Sequence, residues 1–233
     1  DLARADRPRH VLSTPLEHPS VDRALDVLRR AGHTVELVDV GRDGRVELDH
    51  LRALLRADTA LVCVCAVDGE LGTVQPIRAI AALLRDRPGC RLHVDATQAV
   101  GRTALVLDGV DTMSLAPHKC GGLNGSGLLV RRRGPLSAPS DLDGGTPALG
   151  LAAADELALR LALTRQEERT ARVRALNGRL RAALARYPAV RINSPADAVP
   201  HILNVSVRGV KGTVFQRALA ACDVCVSVKS ACA

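Results

Sequence analysis

The sequence predicts an α/β fold: a mainly parallel sheet flanked by helices, with a small α+β part behind it. Three observations predict this. Strand-like and helix-like apolar patterns alternate from residue 10 to residue 131. The run from Thr59 to Val67 is apolar throughout, as a strand covered on both faces must be. From about Leu149 to Arg186 the pattern turns almost wholly helical, and short β-rich pieces follow it.

Each element has its own signal. His10 to Ser13 is a short apolar strand. Val21, Ala24, Leu25 and Leu28 recur at helical spacing, and Gly32 stands where a helix stops. Thr34 to Val40 is β-rich, and Leu48, Leu51, Leu54 and Leu55 mark the next helix. After the Thr59–Val67 strand, Pro76 sits where a first helical residue belongs, and Ile77, Ile80, Ala81 and Leu84 form that helix's apolar stripe. Arg91 to Ala96 is the next strand. Thr112 to Leu115 and Gly127 to Arg131 are two more around a glycine-rich turn. In the helical stretch, Val173, Leu176, Leu180 and Leu184 share one face, and Pro188 ends it. Val190 to Asn193, Ile202 to Val207 and Val224 to Val228 read as strands, with a helix from about Thr213 to Ala221 before the last. The pattern divides the chain into a large part, residues 1–165, and a small part, residues 166–233.

Composition narrows the function. The 233 residues are 47% hydrophobic and 24% charged, ordinary for a globular protein. No apolar run is long enough to span a bilayer. The net charge is +7, but the arginines are dispersed, and Tyr187 and Phe215 are the only aromatics. Direct nucleic-acid binding is disfavoured, because little is present to stack on bases. Seven cysteines at irregular spacing do not make a disulfide framework. Cys222 and Cys225 have no second pair at zinc spacing, so no metal site is expected. Cys63 and Cys65 alternate within an apolar run and are expected to be buried. Reduced thiols and the lack of an N-terminal apolar leader point to the cytoplasm.

The chemistry lies at two strand ends. Asp95 ends a buried strand and points to the crevice where α/β sheets bind ligands. Lys119, after the next strand, reaches the same crevice. A carboxylate for a protonated ring nitrogen and a lysine for an aldehyde are what pyridoxal phosphate chemistry needs.

The surrounding residues carry a resemblance. The runs HVDATQAVGR (93–102) and DTMSLAPHKCGGLNGSGLLVRR (111–132) resemble the cysteine desulfurases of the class V aminotransferase family. So do LEHPSV (16–21), DGELGTVQPI (68–77), HILNVSV (201–207) and the final Ser230-Ala231-Cys232. The resemblance implies a fold type I pyridoxal-phosphate enzyme that takes sulfur from L-cysteine, leaves L-alanine, and passes a persulfide on Cys232 to an acceptor protein. It implies that Lys119 holds the cofactor's aldehyde, Asp95 its ring nitrogen and Gln98 its phenolic oxygen. His18 stacks on the ring and assists proton transfer, and His118 contacts the phosphate. Thr146 reaches the phosphate of a partner subunit in a homodimer. Other implied readings are a non-catalytic partner subunit, a selenocysteine lyase or another class V lyase.

The sequence also departs from the family. Its phosphate-cradling Gly-Thr turn has no counterpart before Asp1, and its substrate-carboxylate arginine lies beyond Ala233. Ala116 stands where a hydroxyl is usual, and Asp68-Gly69 replaces an asparagine pair.

Overall fold

The computed structural model describes Leu2, residues 7–132 and residues 148–228. Thr146 and Ser230-Ala231-Cys232 lie outside the described residues.

The first part alternates β1 (His10–Ser13), α1 (Pro19–Arg30), β2 (Thr34–Leu37), α2 (Leu48–Leu54), β3 (Thr59–Cys65), α3 (Ile77–Leu84), β4 (Arg91–Asp95) and β5 (Thr112–Leu115). A single 3-10 turn at Pro117–Cys120 leads to β6 (Leu128–Arg131). Six strands form one sheet in the order β2-β1-β3-β4-β5-β6. All neighbours are parallel except the β5–β6 pair. That pair is antiparallel because residues 116–127, which hold the 3-10 turn and no crossover helix, return the chain directly alongside β5.

The order places the crevice. The chain leaves β1 to one side for β2, then returns to pair β3 on the other side. The loops after β1 and β3 therefore diverge, and a crevice opens at the carboxyl ends of the strands.

Burial explains the strands. β3 lies between β1 and β4, and every residue but Leu61 is buried, so apolar residues are needed on both faces. Leu12, Val62, Val64, Leu92 and Val94 join Leu51 of α2 and Ile77, Ile80 and Leu84 of α3 in one core. Val11, next to Leu12, is buried outside that cluster, as strand alternation requires. At roughly 25 cal/mol per Å² of apolar area removed from water, this burial is the main favourable contribution to folding.

The second part is α4 (Leu149–Thr164), α5 (Gln166–Leu184), β7 (Val190–Ile192), β8 (Val205–Val207) and α6 (Gly212–Ala220). The continuous helix expected from Leu149 to Arg186 is broken at Arg165, whose backbone leaves helical geometry at φ −105°, ψ 14°. α4 joins the sheet through buried Ala162, which faces Gly101: a Cβ there would lie 2.9 Å from the Ala162 Cβ. α5 is held by polar contacts. Asn177 Nδ2 donates to the Pro200 carbonyl at 2.9 Å, and Arg181 donates to the Ser194 and Pro195 carbonyls. Its leucine face is half open, with Leu176 52% and Leu180 49% exposed.

Besides the helix break, the strand expected from Ile202 begins only at Val205, and three further expectations change. Pro76 occupies the N-cap of α3, one residue before the helix. β2 ends at Leu37, short of Val40. Val224 to Val228 is not a strand. Its valines have no buried face, Val224 and Val226 being exposed, and Gln216 Nε2 of α6 donates to the Val226 carbonyl at 2.8 Å. Among the described residues β7 and β8 pair only with each other, antiparallel. Among the described residues no helix is long and apolar enough to cross a membrane.

Candidate active site

Four strand ends furnish one cavity of about 520 Å³. After β1, the chain turns through Pro15, Leu16 and Glu17 to His18. His18 is the N-cap of α1: its Nδ1 accepts the Ser20 N–H at 3.1 Å, and Pro19 follows with no N–H to satisfy. The acceptor role at Nδ1 puts the proton of the neutral ring on Nε2.

After β3, Asp68 folds its own loop. Its Oδ1 accepts the N–H groups of Glu70 and Leu71, an arrangement typical of aspartate in turns. Burial pushes the Asp68 carboxyl above its usual range, partly offset by these backbone donors. Gly69 beside it leaves room for Gln98: a Cβ at 69 would lie 3.6 Å from Gln98 Nε2.

Asp95, at the end of β4, is half-buried, and its Oδ1 accepts the Thr97 N–H at 2.9 Å. The turn that follows carries Gln98, whose Oε1 accepts from Arg102 Nη1. Arg102 Nη2 also donates to the Lys119 carbonyl at 3.3 Å. One guanidinium thus links the turn after β4 to the turn after β5. Burial lowers the Arg102 pKa. Lys119 itself sits in the 3-10 turn, closed by Gly121 at φ +102°. That left-handed conformation is one glycine adopts readily.

Lys119, Asp95, His18, Gln98 and His118 all line the cavity, together with Ala116, Asp68 and Gly69. The sequence reading had placed these residues in one site; Thr146 and Cys232 lie outside the described residues. His201 is not in the cavity lining. It is half-buried, and burial with Arg102 and Arg169 nearby lowers its pKa.

Sequence reasoning missed Glu17. It lines the same cavity and is 7% exposed. Its Oε1 accepts Thr14 Oγ1–H at 2.8 Å and the Cys65 N–H at 2.9 Å, stapling the β1–α1 loop to the end of β3. Burial, reinforced by Asp95 and Asp22, pushes its pKa up to about 7. A glutamate between Leu16 and His18 carries no periodic or spacing signal, so only the fold shows that it is buried.

The donor set suits pyridoxal phosphate. A lysine amine, an aspartate with one oxygen already held, a histidine with a fixed ring and an amide border one cavity. Cys65, also in the lining, is no nucleophile: burial and the nearby carboxylates raise its thiol pKa well above the usual value.

Known proteins share this chain's sequence and fold. The NifS/IcsS protein homolog of Lactobacillus delbrueckii subsp. bulgaricus is 35% identical over 99% of this chain and 63% of that protein. The cysteine desulfurase IscS of Methylococcus capsulatus is 35% identical over 96% of this chain and 58% of that protein. A solved NifS-like protein superposes with a TM-score of 0.89 at 28% identity, covering 96% of this chain and 64% of that one. DndA from Streptomyces lividans superposes with a TM-score of 0.78 at 30% identity, covering 91% and 64%. The chain spans less than two thirds of the length of these relatives. Residues 2–138, which carry the sheet and every described residue of the cavity, match the aminotransferase class-V family, and the chain belongs to that family.

Proposed function

We propose that this chain is the greater part of a pyridoxal-phosphate-dependent cysteine desulfurase, which converts L-cysteine to L-alanine and loads the sulfur on Cys232 as a persulfide. The observation that carries this reading is the convergence of Lys119, Asp95, His18 and Gln98 on one cavity at the carboxyl ends of the strands. The relatives named cysteine desulfurase support it.

When bound, the cofactor supplies an electron sink for the pair released with the substrate's α-proton. The chain's own residues do the rest. Asp95 would hold the proton of the ring nitrogen through the oxygen that Thr97 leaves free. His18 would offer the ring a flat platform. Lys119 takes the α-proton, since His18 Nε2 already carries the ring proton and can only donate. Cys232, as thiolate, attacks the substrate sulfur and breaks its bond to carbon. Ala116 brings no hydroxyl to the phosphate, so His118 is left as its contact from this turn.

The family pattern extends the proposal to a homodimer in which Thr146 completes the partner's phosphate site. It also extends to an acceptor protein for the sulfur and a cytoplasmic location. The domain division at residues 1–165 and 166–233 belongs to the same proposal; the helix break at Arg165 supports the boundary.

The test is spectroscopic. Incubated with pyridoxal phosphate, the protein turns yellow, and borohydride bleaches the band and fixes the cofactor on Lys119, as read by peptide mass. Lys119→Ala stays colourless. Serine at Cys232 abolishes alanine formation but keeps the colour. If wild-type protein stays colourless with no mass added at Lys119, the chain is a non-catalytic relative.

A further inference from the structure

Glu17 has one oxygen spoken for and one that nothing answers. Oε1 takes both available donors, Thr14 Oγ1–H and the Cys65 N–H. Oε2 is buried and has no hydrogen-bond partner among the described residues. A buried polar atom left in that state is unfavourable unless a ligand or water answers it. The side chain lines the cavity and, among the described residues, belongs to no other network.

The surrounding charges decide the form of the carboxyl. Asp95 of β4 and Asp22 of α1 act on it as negative charges, and burial raises the thiol pKa values of Cys63 and Cys65 of β3 well above the usual value. Asp68, Glu70, His18, His118 and Lys119 border the same cavity. Its pKa is pushed up to about 7, and no cation is among the causes. An ionised Glu17 would set a second negative charge beside Asp95. A neutral Glu17 carries its proton on Oε2, because Oε1 is already an acceptor twice over.

We propose that Glu17 is a ligand-binding residue of this cavity: a neutral carboxyl that donates its Oε2 proton to an anionic oxygen of the bound ligand. This rests on the reading of the cavity as a pyridoxal phosphate site. The anionic oxygen belongs either to the phosphorylated pyridine or to the carboxylate of the amino acid beside it. Rising pH removes the donor and puts a repelling charge in its place. Glu17 thereby makes ligand affinity depend on pH through a group that is neither Lys119 nor His18.

The test needs no turnover. 4-Deoxypyridoxine 5′-phosphate, which lacks the aldehyde, is titrated into wild type and Glu17→Gln at about pH 6 and about pH 8.5, with and without L-alanine. The wild type is expected to lose affinity relative to Glu17→Gln by on the order of tenfold between these conditions. Comparison of the two proteins cancels the analogue's own phosphate titration. A difference with the analogue alone assigns the acceptor to the pyridine ligand, and one that needs L-alanine assigns it to the amino acid. The same pH dependence in both proteins overturns the proposal. Carboxyl carbon NMR of the ligand-free wild type supplies the second readout, which does not depend on the variant folding. A glutamate inflection near neutrality upholds the neutral acid, and none outside the ordinary range overturns it. Absence of analogue binding to both proteins overturns the cofactor reading and the ligand role with it, and the NMR inflection tells that result from a failure of the buried acid itself.

Discussion

At the scale of single residues, three carboxyls of the cavity are handled in three ways. Asp95 gives one oxygen to the Thr97 N–H. Asp68 gives one oxygen to two backbone donors of its own turn. Glu17 bridges two strand ends and pays for it in pKa. The last has a consequence for stability. The folded carboxyl titrates near 7 and the unfolded one near 4.5, so the folded state binds the extra proton between these values. Wild type is therefore expected to lose stability as pH rises from about 4.5 to about 7, and no more from this group above that. Glu17→Gln lacks the loss. The gap between the two in unfolding free energy, read from urea titrations, should change across that window by on the order of a few kcal/mol and then stay level. A gap that does not change with pH contradicts the buried ionisable group.

At the scale of elements, small residues set how closely helices approach the sheet. Gly109, in the loop before β5, has φ +74°, and a Cβ there would lie 2.7 Å from the Ala81 Cβ of α3. Gly109→Ala thus meets both a strained backbone and a clash against a packed helix, an expected loss of about 1–3 kcal/mol. Gly89→Ala is the control: a Cβ there meets nothing within 4 Å, and its cost should be a small fraction of that. Equal urea midpoints for the two variants would show that α3 yields to the intruding methyl. The antiparallel edge is secured differently. Buried Asp111 accepts from Arg91, Arg132 and the Leu92 N–H, so one carboxylate joins β4 to the end of β6. Elements of this kind were legible wherever burial is two-sided, as in β3. Val224 to Val228 misled for the opposite reason: alternating valines say that a strand is compatible, not that a partner strand is there to pair with it.

For the whole molecule, thiol exposure separates the sheet from the C-terminal part. Cys63, Cys65 and Cys90 are buried and their thiols are pushed up, Cys90 to about 11. Cys222 and Cys225 are exposed. A colorimetric disulfide reagent should modify Cys222 and Cys225 quickly in native protein, and Cys63, Cys65 and Cys90 only as urea unfolds the sheet. Fast native modification of Cys63 or Cys65, read by peptide mass, would contradict a closed core.

The amino-acid sequence by itself determined the α/β class, the buried central strand and the chemical types needed for the site. Apolar periodicity, β-rich runs and the residues around Asp95 and Lys119 are local properties, and a local pattern can be read one residue after another. Only the tertiary structure decided that β1 and β3 part at the crevice, that Arg102 ties Gln98 to Lys119, and that Glu17 is buried beside Asp95. Each of these is a meeting of segments far apart in the chain. The energy that places a carboxyl in a low-dielectric pocket comes from the packing of neighbours, which no single stretch of sequence contains.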